Sequence, residues 1–258
     1  MAGDCPKVRL SMKRSQNETA SARCEPDDST RGSESFVSSA GGDAASGAAG
    51  KKERILRAAQ AMFGRHGYSN TTMKMIAEEA GVAFGLVAHH FGGKENLFIT
   101  AGFDMIGRLL TRVREEADGA ESGYEALTQF IRAYLRFTLD NPETFPVLIR
   151  CSPFGELGGE DHKALVAEKF DLIFDEIAGH LKRGMDDGSI RLLPVRKTAL
   201  LLYGNILTAV RTHFITPYKF AGLYEETLRY VQHAVANPEG LGREAVFRRK
   251  FQNLSMID

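Results

Sequence analysis

The residues between Lys51 and Lys94 whose types and spacing suit chemistry are cations, one well-placed hydroxyl and a run of small or flat side chains. Lys51, Lys52, Arg54 and Lys94 can neutralise phosphates. Thr72 opens a short predicted helix, where its hydroxyl either caps the helix or meets a phosphate beside the positive helix end; the two roles are compatible. Ala83, Phe84, Gly85, Val87, Ala88 and His89 follow on a third helix. Gly85, Val87 and Ala88 allow close approach, Phe84 either meets a thymine methyl or packs inward, and His89 can bond a phosphate or a base edge. Phosphate neutralisation joined to a few base-edge contacts is what lets a helix sit in a major groove about 12 Å wide.

Three short helices must hold these groups. Ile55, Ala58, Ala59, Met62 and Phe63 recur at helical spacing and Gly67 ends their helix. Ser69 to Thr72 offer capping oxygens, and Met73, Ile76 and Ala77 give the second helix a short apolar face. Ala80-Gly81-Val82 is the turn: Gly81 takes a left-handed conformation without a Cβ clash, and Val82 plugs the space between the flanking helices. The third helix starts near Ala83 and stops at Gly92-Gly93. The pattern is helix-turn-helix.

Gly81-Val82, Gly85-Leu86-Val87, His90-Phe91 and Lys94-Glu95-Asn96-Leu97, preceded by Phe63/Gly67/Tyr68 and Ile76-Ala77, together resemble the N-terminal signature of the TetR family of bacterial transcriptional regulators. The resemblance covers about residues 51–98. Ala83 stands where that family commonly has a capping Ser or Thr, and Ala88 where it commonly has an aromatic that meets a phosphate. The resemblance implies an all-α protein: an N-terminal three-helix DNA-binding domain followed by a larger helical ligand-binding and dimerisation domain. It also implies that the last two long helices form a homodimer interface, and the function expected is that of a repressor released from a palindromic operator by a small, largely apolar effector.

With 258 residues, 43% of them hydrophobic, the chain is long enough for a sizeable core, and its 33 Lys+Arg balance 33 Asp+Glu. Residues 1–50 are rich in Ser, Gly, Ala and mixed charge, which predicts a disordered tail. The domain reading is therefore 1–50 tail, 51–98 DNA-binding, 99–237 effector-binding and dimerisation, and 238–258 a basic C-terminal tail. Three widely spaced cysteines suit a reducing compartment, and the chain lacks a secretory h-region or a membrane span, so a cytoplasmic location is expected. No Gly-rich phosphate loop, nucleophile elbow or metal-spaced Cys/His set is present, so neither an enzyme, a cofactor nor a metal site is expected. The competing reading is a helical ligand-binding or scaffold protein without specific DNA binding.

Beyond Lys94 the pattern is helical throughout: Lys94 to about Arg114, Glu125–Leu139, a short helix opened by Pro142 and reaching Cys151, Asp161–Met185, a helix after Pro194, and Leu223–Ala236. The Ala199–Val210 run is apolar nearly all round, which predicts burial on several sides, a partner subunit included. Phe130, Tyr134 and Phe137 on one helix, Phe145 and Leu148 on the next, Phe170 and Phe174 on the long one, and Tyr203 and Leu207 after Pro194 either pack as core or line an effector cavity. Arg150 and Arg211 lie in otherwise apolar segments, where burial demands a partner: an anionic effector head group or an acidic side chain of the protein.

Overall fold

A computed structural model describes residues 42–153 and 160–238. In chain order the helices are α1 (Gly42–Asn70), α2 (Met73–Glu79), α3 (Phe84–Phe91), α4 (Lys94–Ala117), α5 (Gly123–Asp140), α6 (Pro146–Arg150), α7 (Glu160–Asp186), α8 (Val195–Ile215) and α9 (Leu223–Val235). Among the described residues the only β pairing is a single antiparallel bridge between Ile190 and Ala236. The fold is all-α, with the helix-turn-helix at its N-terminal end and a larger helical region after it.

Two boundaries differ from those expected. Residues 42–50, assigned to a disordered tail, extend α1 by more than two turns; Ala44, Ala45, Ala48 and Ala49 supply the best helix former at four of nine positions, and the helix core beyond them propagates backward. Residues 1–41 and the basic segment after Pro238 lie outside the described residues. Pro142 does not open α6. Residues 141–145 form turns, and Pro146 takes the first helical position, where its missing N–H costs nothing.

Helix α5 is the centre of the larger region, packed against α4, α7, α8 and α9. It buries Leu127, Phe130, Ile131, Tyr134, Leu135 and Phe137. Its N-terminus is held by the α7–α8 turn: Gly123 N donates to Asp187 Oδ2 at 2.7 Å and Tyr124 N to Ser189 Oγ at 3.1 Å. Here α5 and α7 cross so closely that a Cβ on Gly123 would lie 2.0 Å from Gly184 N. The short α6 fits between α1 and α4 in the same manner. A Cβ on Gly64 would come within 2.9 Å of Glu143 O, and one on Gly102 within 2.6 Å of Cys151 Sγ.

Candidate nucleic-acid interface and effector region

Gly67 interrupts α1 with φ 79° and ψ 174°, a conformation that favours glycine. Thr71 is fully buried and locks this break, its hydroxyl lying 2.8 Å from Gly67 O and 3.1 Å from Met62 O. The next residue, Thr72, is exposed and caps α2 by accepting from Met75 N at 3.2 Å. Gly81 turns the chain at φ 61°. Helix α3 then starts after Ala83 with no side-chain cap, the consequence of an alanine at that position.

On α3 the exposed face carries Phe84, Gly85 and His89, with Ala88 half-buried beside them. Phe84 is 55% exposed, so of its two expected roles the inward one is not taken. Val87, assigned to the DNA contacts, is corrected: it is fully buried with Phe91 and joins the core around Ile76 and Ala77. Val87 and Phe91 are four residues apart and share the inner face, so the outward face of α3 is 84-85-88-89. His90 is half-buried beside the Phe91 ring.

Lys51, Lys52 and Arg54 are exposed on α1. Because α1 begins at Gly42, they sit mid-helix and not in its first turns. Lys94 opens α4, and its Nζ stands 4.4 Å from the centroid of the Tyr68 ring. Tyr68 is not among the expected site residues; its signals in the sequence are its place directly after Gly67 and its part in the Phe63/Gly67/Tyr68 pattern. Also unforeseen is Gln60, fully buried on α1, whose Nε2 donates to Asp104 Oδ2 at 2.7 Å and Ala101 O at 3.2 Å on α4.

The expected effector residues form an aromatic lattice in the core. Tyr134, Phe137 and Phe145 meet edge to face at about 6.1 Å, and Phe174 meets Tyr203 at 5.1 Å. Phe130, Leu148 and Phe170 are buried with them, while Phe174 and Leu207 are half-buried. Tyr134 and Tyr203 meet edge to face at 6.4 Å. Burial raises the Tyr134 phenol well above its ordinary value and pushes the Tyr203 phenol up to about 12, so both are neutral polar handles inside an apolar lattice.

The two arginines separate. Arg150 Nε donates to Gly64 O at 3.1 Å, so it joins α6 to α1, and a backbone carbonyl of the protein, not an effector head group, is the partner of that nitrogen. Arg211 is half-buried on α8, with no hydrogen bond or ion pair recorded among the described residues. A surface groove of about 660 Å³ lies between the end of α8 and the start of α9, lined by His213, Tyr218, Lys219, Phe220, Tyr224 and Arg229 among others and by none of the expected effector residues, Arg211 included.

Among the described residues no helix is long and apolar enough to cross a membrane, and no cluster of three or more His, Cys, Asp or Glu is placed to hold a metal. Cys151 is buried against Gly102, and burial pushes its thiol up to about 12, which disables it as a nucleophile.

Residues 55–101 match the family described as bacterial regulatory proteins, tetR family. The chain is 25% identical over 149 residues to the transcriptional repressor AcnR of Corynebacterium glutamicum, which covers 54% of this chain and 69% of AcnR. Against AcnR of Corynebacterium efficiens the match is 24% over 198 residues, 73% of this chain and 94% of that protein. It is 33% identical over 91 residues to the repressor KstR2 of Mycolicibacterium smegmatis, 35% of this chain and 44% of KstR2. Among solved structures, FadR of Bacillus subtilis in complex with stearoyl-CoA gives a TM-score of 0.60 at 21% identity, covering 70% of this chain and 97% of that one. That likeness concerns the fold alone.

Proposed function

This chain belongs to the TetR family of bacterial transcriptional regulators, and we propose that within it the protein is a cytoplasmic, dimeric repressor whose grip on a palindromic operator is released by a small, largely apolar effector. The observation that carries the reading is the reading face of α3: Phe84, Gly85 and His89 exposed in a row while Val87 and Phe91 anchor the helix from behind. Exposed Phe84 and His89 supply base-edge chemistry, and Lys51, Lys52, Arg54, Thr72 and Lys94 supply phosphate contacts. That the relatives AcnR and KstR2 are repressors supports the sign of regulation.

Dimerisation is supported by the outer face of α8 and α9. Leu200, Leu201, Ile215 and Tyr230 all stand at least 39% exposed, an apolar surface that a second copy would cover. An apolar effector is supported by the aromatic lattice, whose paired tyrosines offer hydrogen bonds, with Arg211 as the remaining candidate for an anionic head group. FadR, with its stearoyl-CoA, makes acyl-CoA thioesters the first compounds to assay.

The test is selection of duplexes from random DNA followed by titration. The proposal expects enrichment of a palindrome with half-sites about one turn apart, roughly 34–36 Å, and a changed base preference for Phe84→Ala and His89→Ala. Failure to enrich any sequence over a scrambled duplex would favour a ligand-binding helical protein without specific DNA binding.

A further inference from the structure

We propose that Tyr68 is a positioning residue for DNA binding: its ring is a fixed platform that holds the Lys94 ammonium at the phosphate-facing end of α4. The proposal rests on the reading of Lys94 as a phosphate contact. Lys94 Nζ stands 4.4 Å from the Tyr68 ring centroid, a cation–π distance. The ring cannot swing away. It lies 5.1 Å from Phe98 and 6.2 Å from Phe63, both fully buried, and the backbone that delivers it is set by the Gly67 break and the buried Thr71 lock.

A lysine has a flexible four-carbon stem, and a phosphate contact made by a free one loses much of its gain to lost rotamer freedom. The π face holds the ammonium with little loss of its hydration and engages one side of it, so the remaining N–H donors stay available. A carboxylate would hold Lys94 as firmly but would cancel its charge. The adjacent Glu95 is prevented from doing so by geometry: its Oε1 lies 2.7 Å from His162 Nδ1 on α7, and among the described residues Lys94 has no ion pair. Lys94 is thus kept both ordered and charged.

The experiment is a double-mutant cycle on the full chain, with a duplex recovered by selection as the probe and affinity measured against NaCl concentration. Tyr68→Leu keeps apolar bulk and removes the π face; it is expected to weaken binding about two- to fivefold per half-site, with the salt slope unchanged because the charge remains. Tyr68→Phe keeps the face and is expected to bind within about twofold of wild type. In a Lys94→Ala background Tyr68→Leu should have no further effect. An equal loss in both backgrounds, or no loss from Tyr68→Leu where Lys94→Ala is harmful, overturns the proposal. If Lys94→Ala leaves affinity and salt slope unchanged, the phosphate role of Lys94 is itself wrong. A measurement that needs no substitution at Tyr68 is the proton spectrum of Lys94 in wild type. Its ε-methylene signals should lie upfield of those of other lysines from the ring current, and ordinary shifts would refute the platform.

Discussion

His162 Nδ1, in the first turn of α7, lies 2.7 Å from Oε1 of Glu95 in the first turn of α4. The larger helical region therefore touches the DNA-facing unit one residue from Lys94. Two more ties follow at seven-residue steps along α7: Lys169 Nζ stands 5.6 Å over the Phe103 ring, and Arg114 Nε donates to Glu176 at 2.7 Å. One face of α7 is thereby fastened along α4. If an effector lodges among Phe170, Phe174 and Tyr203, as proposed, it would press on the same helix, and α7 would then be a physical route by which ligand and operator oppose each other.

Removing the first tie should loosen the start of α4. The partners are about one-third exposed, which limits the pair to about 0.2–1 kcal/mol. His162→Ala should speed amide exchange at residues 97–100 roughly two- to fivefold, and His162→Asn, which keeps a donor near the Nδ1 position, should restore most of the protection. Identical exchange in all three proteins would show that the pair does not constrain α4.

Leu200 and Leu201 are 53% and 66% exposed in the single protomer, so charge there should leave the fold intact and break assembly. Leu201→Arg is expected to keep wild-type helicity by circular dichroism and to shift the protein to a monomer in light scattering at micromolar concentration. A wild-type protein that is itself monomeric would remove the basis for a palindromic operator.

Packing at the α4–α6 contact leaves no room for a methyl group. Gly102→Ala is expected to cost about 1–3 kcal/mol in urea unfolding, and adding Cys151→Ala should recover part of it because the colliding sulfur is gone. In the native wild type, Cys151 should resist iodoacetamide until the chain unfolds, as read by mass spectrometry of its peptide.

Asp187 supplies a pH signature. Burial acts to raise its carboxyl, but hydrogen bonds from Ser189 and from Gly123 N, with the Arg183 charge, hold it below the ordinary 3.8. A carboxylate held low in the folded state stabilises above its unfolded value and loses that contribution as pH falls through the folded one. Asp187→Asn should therefore lower Tm at about pH 7, and the gap from wild type should close towards about pH 3. A gap independent of pH would mean that the loss is one of packing alone.

What was legible in the sequence was what is local. Gly67, Gly81 and Gly92 all adopt positive φ and end or turn the elements where the glycine pattern placed them, and Thr72 caps α2 as its position demanded. Val87 was misplaced because small and apolar residues suit both a groove and a core. The four-residue step to Phe91 carried the answer, since side chains four apart on a helix share one face. Choosing Pro146 over Pro142 needed the tertiary fact that the Pro146 ring sits 3.4 Å from where a Gly64 Cβ would be. Arg150 needed one too, since no pattern in α6 says that its guanidinium reaches a carbonyl 86 residues earlier.

The two glycine notches that receive α6, at Gly64 on α1 and Gly102 on α4, have a mechanical result. With the segment from Glu143 to Cys151 seated against Gly64 on one side and Gly102 on the other, and pinned to α1 by Arg150, opening the angle between α1 and α4 would force α6 out of its seat. These three helices must therefore turn as one stiff body, with α6 as the fulcrum. The spacing of two reading heads would then change by rotation about that pivot and not by bending of the arm that carries them.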